Sequence, residues 1–158
     1  MTETIFPSTE LPAYPHIAAE LPSDWTKRAM PDALGALVKT VTEGRYAPNI
    51  VLSVTRRGPD FKLEELAPVI EATLKDLDGA EPIDSAYVEL NGLRWFVHEV
   101  GYQHPQAGTL VQLVAVAGVE NGGAIDLIQL NGSCPLGADD SLLNELRTVI
   151  ASIKVTLV

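Results

Sequence analysis

Asn91 and Gly92 stand between two runs of alternating apolar and polar residues, 83–90 and 93–102. An Asn-Gly pair so placed is the strongest short hairpin signal a sequence offers, because both central residues of a type I′ turn need positive φ. A two-residue loop also sets register: Leu90 opposes Leu93 and every pair outward follows. Ala86, Val88, Leu90, Leu93, Trp95 and Val97 then share one face, which reads as core, while Ser85, Tyr87, Glu89, Arg94, Phe96 and His98 share the other. A second hairpin, 109–119 with 124–130, turns through Glu120-Asn121-Gly122-Gly123.

The other segments fit around this four-strand unit. Pro7, Pro12, Pro15, Pro22 and Pro31 all but exclude helix from the first thirty-one residues and leave room for one short strand near 16–21. Residues 34–42 read as a strand or short helix, and the β-branched run 49–56 as a strand. Leu63, Leu66, Val69, Ile70, Leu74 and Leu77 form a helical stripe that ends at Gly79. Pro68 is discordant there, tolerated if the first turn is loose or the helix begins near Ala67. A second stripe, Leu142, Leu143, Leu146, Val149, Ile150 and Ile153, predicts a helix capped by Asp139 or Ser141, with 155–158 as a short closing strand. The expected fold is one α+β domain over 1–158, an antiparallel β-sheet flanked by helices in an α/β/α sandwich, with 1–13 as a loosely ordered arm.

Charge and cysteine usage narrow the function classes. The 158 residues carry a net charge of −10, which opposes nucleic acid and anionic membrane as partners. The start, Met1-Thr2-Glu3-Thr4, is acidic and unlike a secretory signal, and no apolar run is long enough for a membrane helix. One cysteine, Cys134, excludes an internal disulfide and a multi-cysteine zinc site. These points set the expectation of a cytoplasmic protein without a membrane anchor.

Candidate chemical groups are few. Ser85 opposes His98, a nucleophile and base pairing that lacks a Gly-x-Ser-x-Gly elbow and an orienting carboxylate. Asp84 opposes Glu99, the kind of carboxylate pair that acid–base chemistry uses. Glu89 and Arg94 should form a cross-strand ion pair. His16, His98 and His104 show no metal-ligand spacing, the glycines form turns and no phosphate loop, and Cys134 reads as an ordinary thiol. No cofactor or metal is expected. Against the global sign, residues 27–62 carry seven bases and three acids, a local +4 set against −14 elsewhere. If the early strands pair, Arg45, Arg56 and Arg57 gather at a sheet edge and offer a docking surface for an acidic partner, with Trp25 as an aromatic anchor.

Leu21-Pro22-Ser23-Asp24-Trp25, then Ala47-Pro48-Asn49-Ile50-Val51-Leu52-Ser53-Val54, the Asn91-Gly92-Leu93 turn and the terminal helix and strand at 146–155 resemble the actinobacterial LpqN/LpqT family. The resemblance implies the Mog1p/PsbP-like fold and, through that fold, protein binding rather than catalysis. The expected function is therefore a non-enzymatic interaction or adaptor domain, linked to secretion or the cell envelope, with an unidentified protein partner and open strand edges that allow a homodimer. The aliphatic strands and a mean hydropathy of +0.13 support a second reading, a carrier or chaperone for an apolar small molecule or an effector's membrane segment. A hydrolase using Ser85 and His98, or Asp84 and Glu99, is the third.

Overall fold

The computed structural model describes residues 1–158. Nine strands and two helices follow in the order β1 His16–Ala18, β2 Trp25–Arg28, β3 Gly35–Lys39, β4 Asn49–Arg57, α1 Leu63–Lys75, β5 Glu81–Leu90, β6 Leu93–His104, β7 Gly108–Asn121, β8 Ala124–Pro135, α2 Ser141–Ala151 and β9 Lys154–Thr156. Seven strands form one antiparallel sheet in the order β2-β3-β4-β8-β7-β6-β5, and β1 pairs with β9 in a separate ribbon.

The Asn-Gly turn behaves as its chemistry demands. Asn91 has φ 51° and Gly92 φ 80°, and the hairpin pairs Leu90 with Leu93, Val88 with Trp95, Ser85 with His98 and Asp84 with Glu99 before a bulge at Pro82. Successive side chains of β6 therefore alternate between the two faces of the sheet. Trp95 joins a core with Leu113, Ile128 and Leu130 of the sheet and Leu143, Leu146, Val149 and Ile150 of α2. Phe96, one residue on, joins a smaller core with Val100, Val114 and Val116 beneath Ala67, Ile70 and Leu74 of α1. Both faces of the central strands are thus apolar, and each helix supplies the stripe its sequence carries, except that Val69 of α1 is 56% exposed and takes no part in the core.

Local departures from expectation have physical causes. Helix α1 starts at Leu63 and runs through Pro68. Pro68 is exposed, so its ring meets no packed neighbour, while the flanking Ala67 and Ile70 are buried; tertiary packing offsets the lost backbone bond. Helix α2 has Asp140 at its N-cap without a side-chain bond, and Asp139 Oδ1 instead accepts the Ser141 N–H at 3.0 Å. Strand β2 lies where only one early strand was expected. It lies between Pro22 and Pro31 and is held by β3 from beyond the proline-rich stretch, with the Thr40 N–H donating to Asp24 O at 2.7 Å. No helix is long and apolar enough to cross a membrane.

Candidate functional site

The four residues expected to form a docking surface are dispersed. Trp25 opens β2 and is buried, 5% exposed, so it is not an aromatic anchor for a partner. Its Nε1 donates to Glu145 Oε1 of α2 at 2.6 Å, and the Lys39 ammonium donates to the same oxygen and to Asp24 Oδ2, each at 2.7 Å. The bond to Asp24, then that to Glu145, raises the Lys39 pKa above its usual value. Arg56 and Arg57 are sequence neighbours on a strand, so they project to opposite faces. Arg56 turns toward the α2 side and holds Asp126 with two bonds, Nε to Oδ1 at 2.7 Å and Nη2 to Oδ2 at 2.9 Å. Arg57 takes the other side and lies over the Phe61 ring at 5.5 Å. Arg45 precedes β4, whereas Arg56 and Arg57 end it; eight strand steps of about 3.3 Å put roughly 26 Å between the two ends. Strand β4 is also interior, paired with β3 and β8, so the sheet edge expected to collect these arginines lies elsewhere.

Of the paired groups on the first hairpin, Ser85 and Glu99 are engaged, whereas the buried His98 Nδ1 has no hydrogen-bond partner. Ser85 Oγ points to Glu71 Oε1 of α1 at 3.4 Å and makes no bond to His98, which is 7% exposed beside Phe96. Glu99, 3% exposed, is gripped by Arg147 of α2, Nη2 to Oε1 at 2.7 Å and Nε to Oε2 at 2.8 Å, while Asp84 stays exposed. A carboxylate locked in a two-bond arginine pair is not a free acid or base. Arg94 faces Glu89 in register but reaches Glu64 of α1 and stacks over Tyr87 at 4.2 Å, so the expected cross-strand ion pair is replaced by a strand-to-helix one. Cys134 is fully buried; burial, with a smaller push from Glu99 against a pull from Arg147, raises its thiol pKa to about 11. Asp126, Glu145 and Arg147, the residues that neutralise so much of this chemistry, carried no motif by which the sequence could mark them.

An apolar groove is open on this fold. The β1–β9 ribbon stands off the β3–β4 end of the sheet on the α2 side and leaves a trough of about 480 Å³. Leu37 and Leu52 line one wall, Ile17, Ala19 and Leu21 the other, with Ile153 alongside; nine of the eleven lining residues are hydrophobic. Lys27 is the sole charged residue of the lining, brought there by its pairing opposite Leu37. Such a lining offers area to an apolar chain and one cation to an anionic or strongly polar head. It holds no nucleophile and no acid–base pair.

Comparison with known proteins adds a fold relationship. No family model matches the sequence, and no curated protein matches it. Among solved structures, LpqN, involved in cell envelope biogenesis of Mycobacterium tuberculosis, superposes with a TM-score of 0.76 at 20% identity, covering 92% of this chain and 86% of that one. The cyanobacterial PsbP of Synechocystis superposes with a TM-score of 0.53 at 13% identity over 98% of both chains. The chain has the LpqN-like, PsbP-like α+β fold, as the sequence resemblance implied. The cytoplasmic expectation is corrected by the same finding: the structure that this chain follows over nine-tenths of its length belongs to a protein of cell envelope biogenesis. Neither an acidic start nor a lone cysteine assigns a compartment by itself.

Proposed function

We propose that this chain is a non-catalytic binding domain with a role at the cell envelope, and that its groove carries the apolar part of a small amphiphile. The observation that bears this reading is the lining of the groove, nine of eleven residues hydrophobic with Lys27 its one charged member. Burying a six-carbon chain there removes enough apolar surface for about 4–5 kcal/mol at about 0.8 kcal/mol per methylene. The non-catalytic part rests on where the candidate groups spend their bonds: Ser85 on Glu71, Glu99 on Arg147. The envelope part draws on the fold shared with LpqN. We read the two helices, one on each sheet face, as the outer layers of a three-layer sandwich whose α2 side was left partly open for this cargo.

The test is titration with a fluorescent eleven-carbon fatty acid. Ala18 is exposed and belongs to the groove's lining, so Ala18→Trp adds bulk there without entering the core. Saturable binding that Ala18→Trp weakens at least about tenfold, about 1.4 kcal/mol, with an unchanged melting curve, is the expected result. Wild-type protein that does not bind the probe, or a variant that binds it equally well, overturns the reading.

A further inference from the structure

We propose that a second cleft, at the other end of β4 from Arg57, binds the oxyanion of a small organic carboxylate or phosphate, with Arg45 as its anchor. Three connections meet there: the segment 41–48 before β4, the turn after β6 and the segment that follows β8. They enclose about 600 Å³, space enough for an ordinary metabolite-sized molecule.

Charge sets the chemistry. Arg45 is the single charged residue in the lining, and Glu43, two positions away, is not part of it. The ion pairs of this chain engage Lys39, Arg56, Arg94 and Arg147, and Arg45 is absent from them. Its guanidinium also donates no hydrogen bond within the protein, while its backbone N–H donates to Thr42 O at 3.1 Å. A planar fork of donors left free beside a concave surface suits a carboxylate or phosphate, which it can take with two parallel bonds. On a chain of net charge −10, that is a position where an anion meets attraction at short range. Thr42 and Gln106 add neutral hydrogen-bonding groups around it, and Pro135 and Leu142 an apolar wall.

The walls are already held in place. The Tyr46 hydroxyl donates to Ser133 Oγ of β8 at 2.9 Å, and Asn49 Nδ2 donates to Ala47 O at 2.9 Å. His104 Nδ1 accepts from the backbone N–H groups of Gln106 and Ala107 at 3.2 and 3.1 Å, which fixes the facing turn. The Leu136 N–H donates to Thr109 O at 3.0 Å and fixes the third side. A preformed cleft spares a ligand the ordering of the loops around it.

Benzoate and phenyl phosphate are the probes, since each joins one oxyanion to a ring that fits the apolar wall. Titrations followed by calorimetry compare wild type, Arg45→Gln, Arg45→Lys and Arg57→Gln, the last removing an exposed arginine far from the cleft. The expected result is binding of at least one probe, weakened about tenfold or more in Arg45→Gln, partly kept in Arg45→Lys, unchanged in Arg57→Gln, and diminished by added salt. Which probe binds tells whether the natural ligand carries carboxylate or phosphate. Failure of both probes to bind wild type, or binding that Arg45→Gln leaves intact or that Arg57→Gln weakens equally, overturns the proposal. The fatty-acid titration of the apolar groove is read on a separate surface, so either site can fail without the other.

Discussion

Asp126 and Glu99 are the carboxylates this fold takes out of water, at 0% and 3% exposure, and each is met by one arginine from a different element. For Asp126, burial alone would raise the pKa, but the bonds from Arg56 and then Asn121 outweigh it and hold the carboxyl below its ordinary 3.8. A group whose pKa is depressed by folding stabilises the native state above the unfolded value and loses that contribution as pH falls through the folded one. Asp126→Asn is therefore expected to cost about 1.5–3 kcal/mol near pH 7, the worth of hydrogen bonds to a charged group, and progressively less once the pH drops below about 4. Urea titrations of both proteins from pH 7 to 2.5 measure this; a constant difference across that range would rule the linkage out. Exposed carboxylates such as Asp24, lowered by its bond from Lys39, share the acid limb of wild type, and the difference between the two proteins cancels them. The sequence could place such residues on a face but could not name their partners. Arg94 was matched to Glu89 because strand register is local information, whereas Glu64 reaches it from a helix thirty residues earlier.

At the scale of elements, legibility followed the range of the determining interaction. The hairpin around Asn91-Gly92 was readable pair by pair because two residues fix it, and both helices because their stripes bury locally contiguous side chains. The two strands of the β1–β9 ribbon were readable near 16–21 and 155–158, but their pairing was not, since it joins three residues with three others some 140 positions away. Arg56 with Arg57 was misread for the converse reason: adjacency in a strand means opposite faces, not a patch. The same turn also does a tertiary job that its motif does not reveal. Asn91 Nδ2 donates to Ala151 O at 3.2 Å and to Ile153 O at 2.8 Å, latching the hairpin tip to the link between α2 and β9. Asn91→Gly keeps the positive φ and removes the latch, for an expected loss of about 1 kcal/mol. Gly92→Ala keeps the latch and strains the turn, costing about 1–2 kcal/mol. Native-state hydrogen exchange separates them: Asn91→Gly should speed exchange in β9 and its partner β1, and Gly92→Ala in β5 and β6. Matching exchange patterns in the two variants would show that the latch has no separate existence.

Across the whole molecule, the strand order converts a sequence asymmetry into a spatial one. The span 27–62, with its local +4, supplies β2, β3 and β4 at one end of the sheet, and Glu81, Asp84 and Glu89 lie on β5 at the other. The two edges are therefore of opposite sign, which invites head-to-tail addition of copies, yet each edge is blunted in its own way. Strand β2 is four residues long and ends in Lys27-Arg28. Strand β5 has ten, but Pro82 offers no N–H, a bulge follows it, and the Asp84 carboxylate turns back to accept the Ser85 N–H at 2.9 Å. A strand that meets its own donors has fewer left for a neighbour. Wild-type protein is accordingly expected to sediment as a monomer at about 100 μM, at low and at high salt, in keeping with edges guarded by charge and proline. Pro82→Val with Asp84→Val restores two donors and removes a repelling charge on an exposed edge that already shows Ile83 and Tyr87. That variant should melt within about 1 kcal/mol of wild type, as exposed substitutions do, and associate with rising concentration. A monomeric double variant would mean that proline and carboxylate are not what keeps this edge closed, and a wild-type dimer would mean that it is not closed at all.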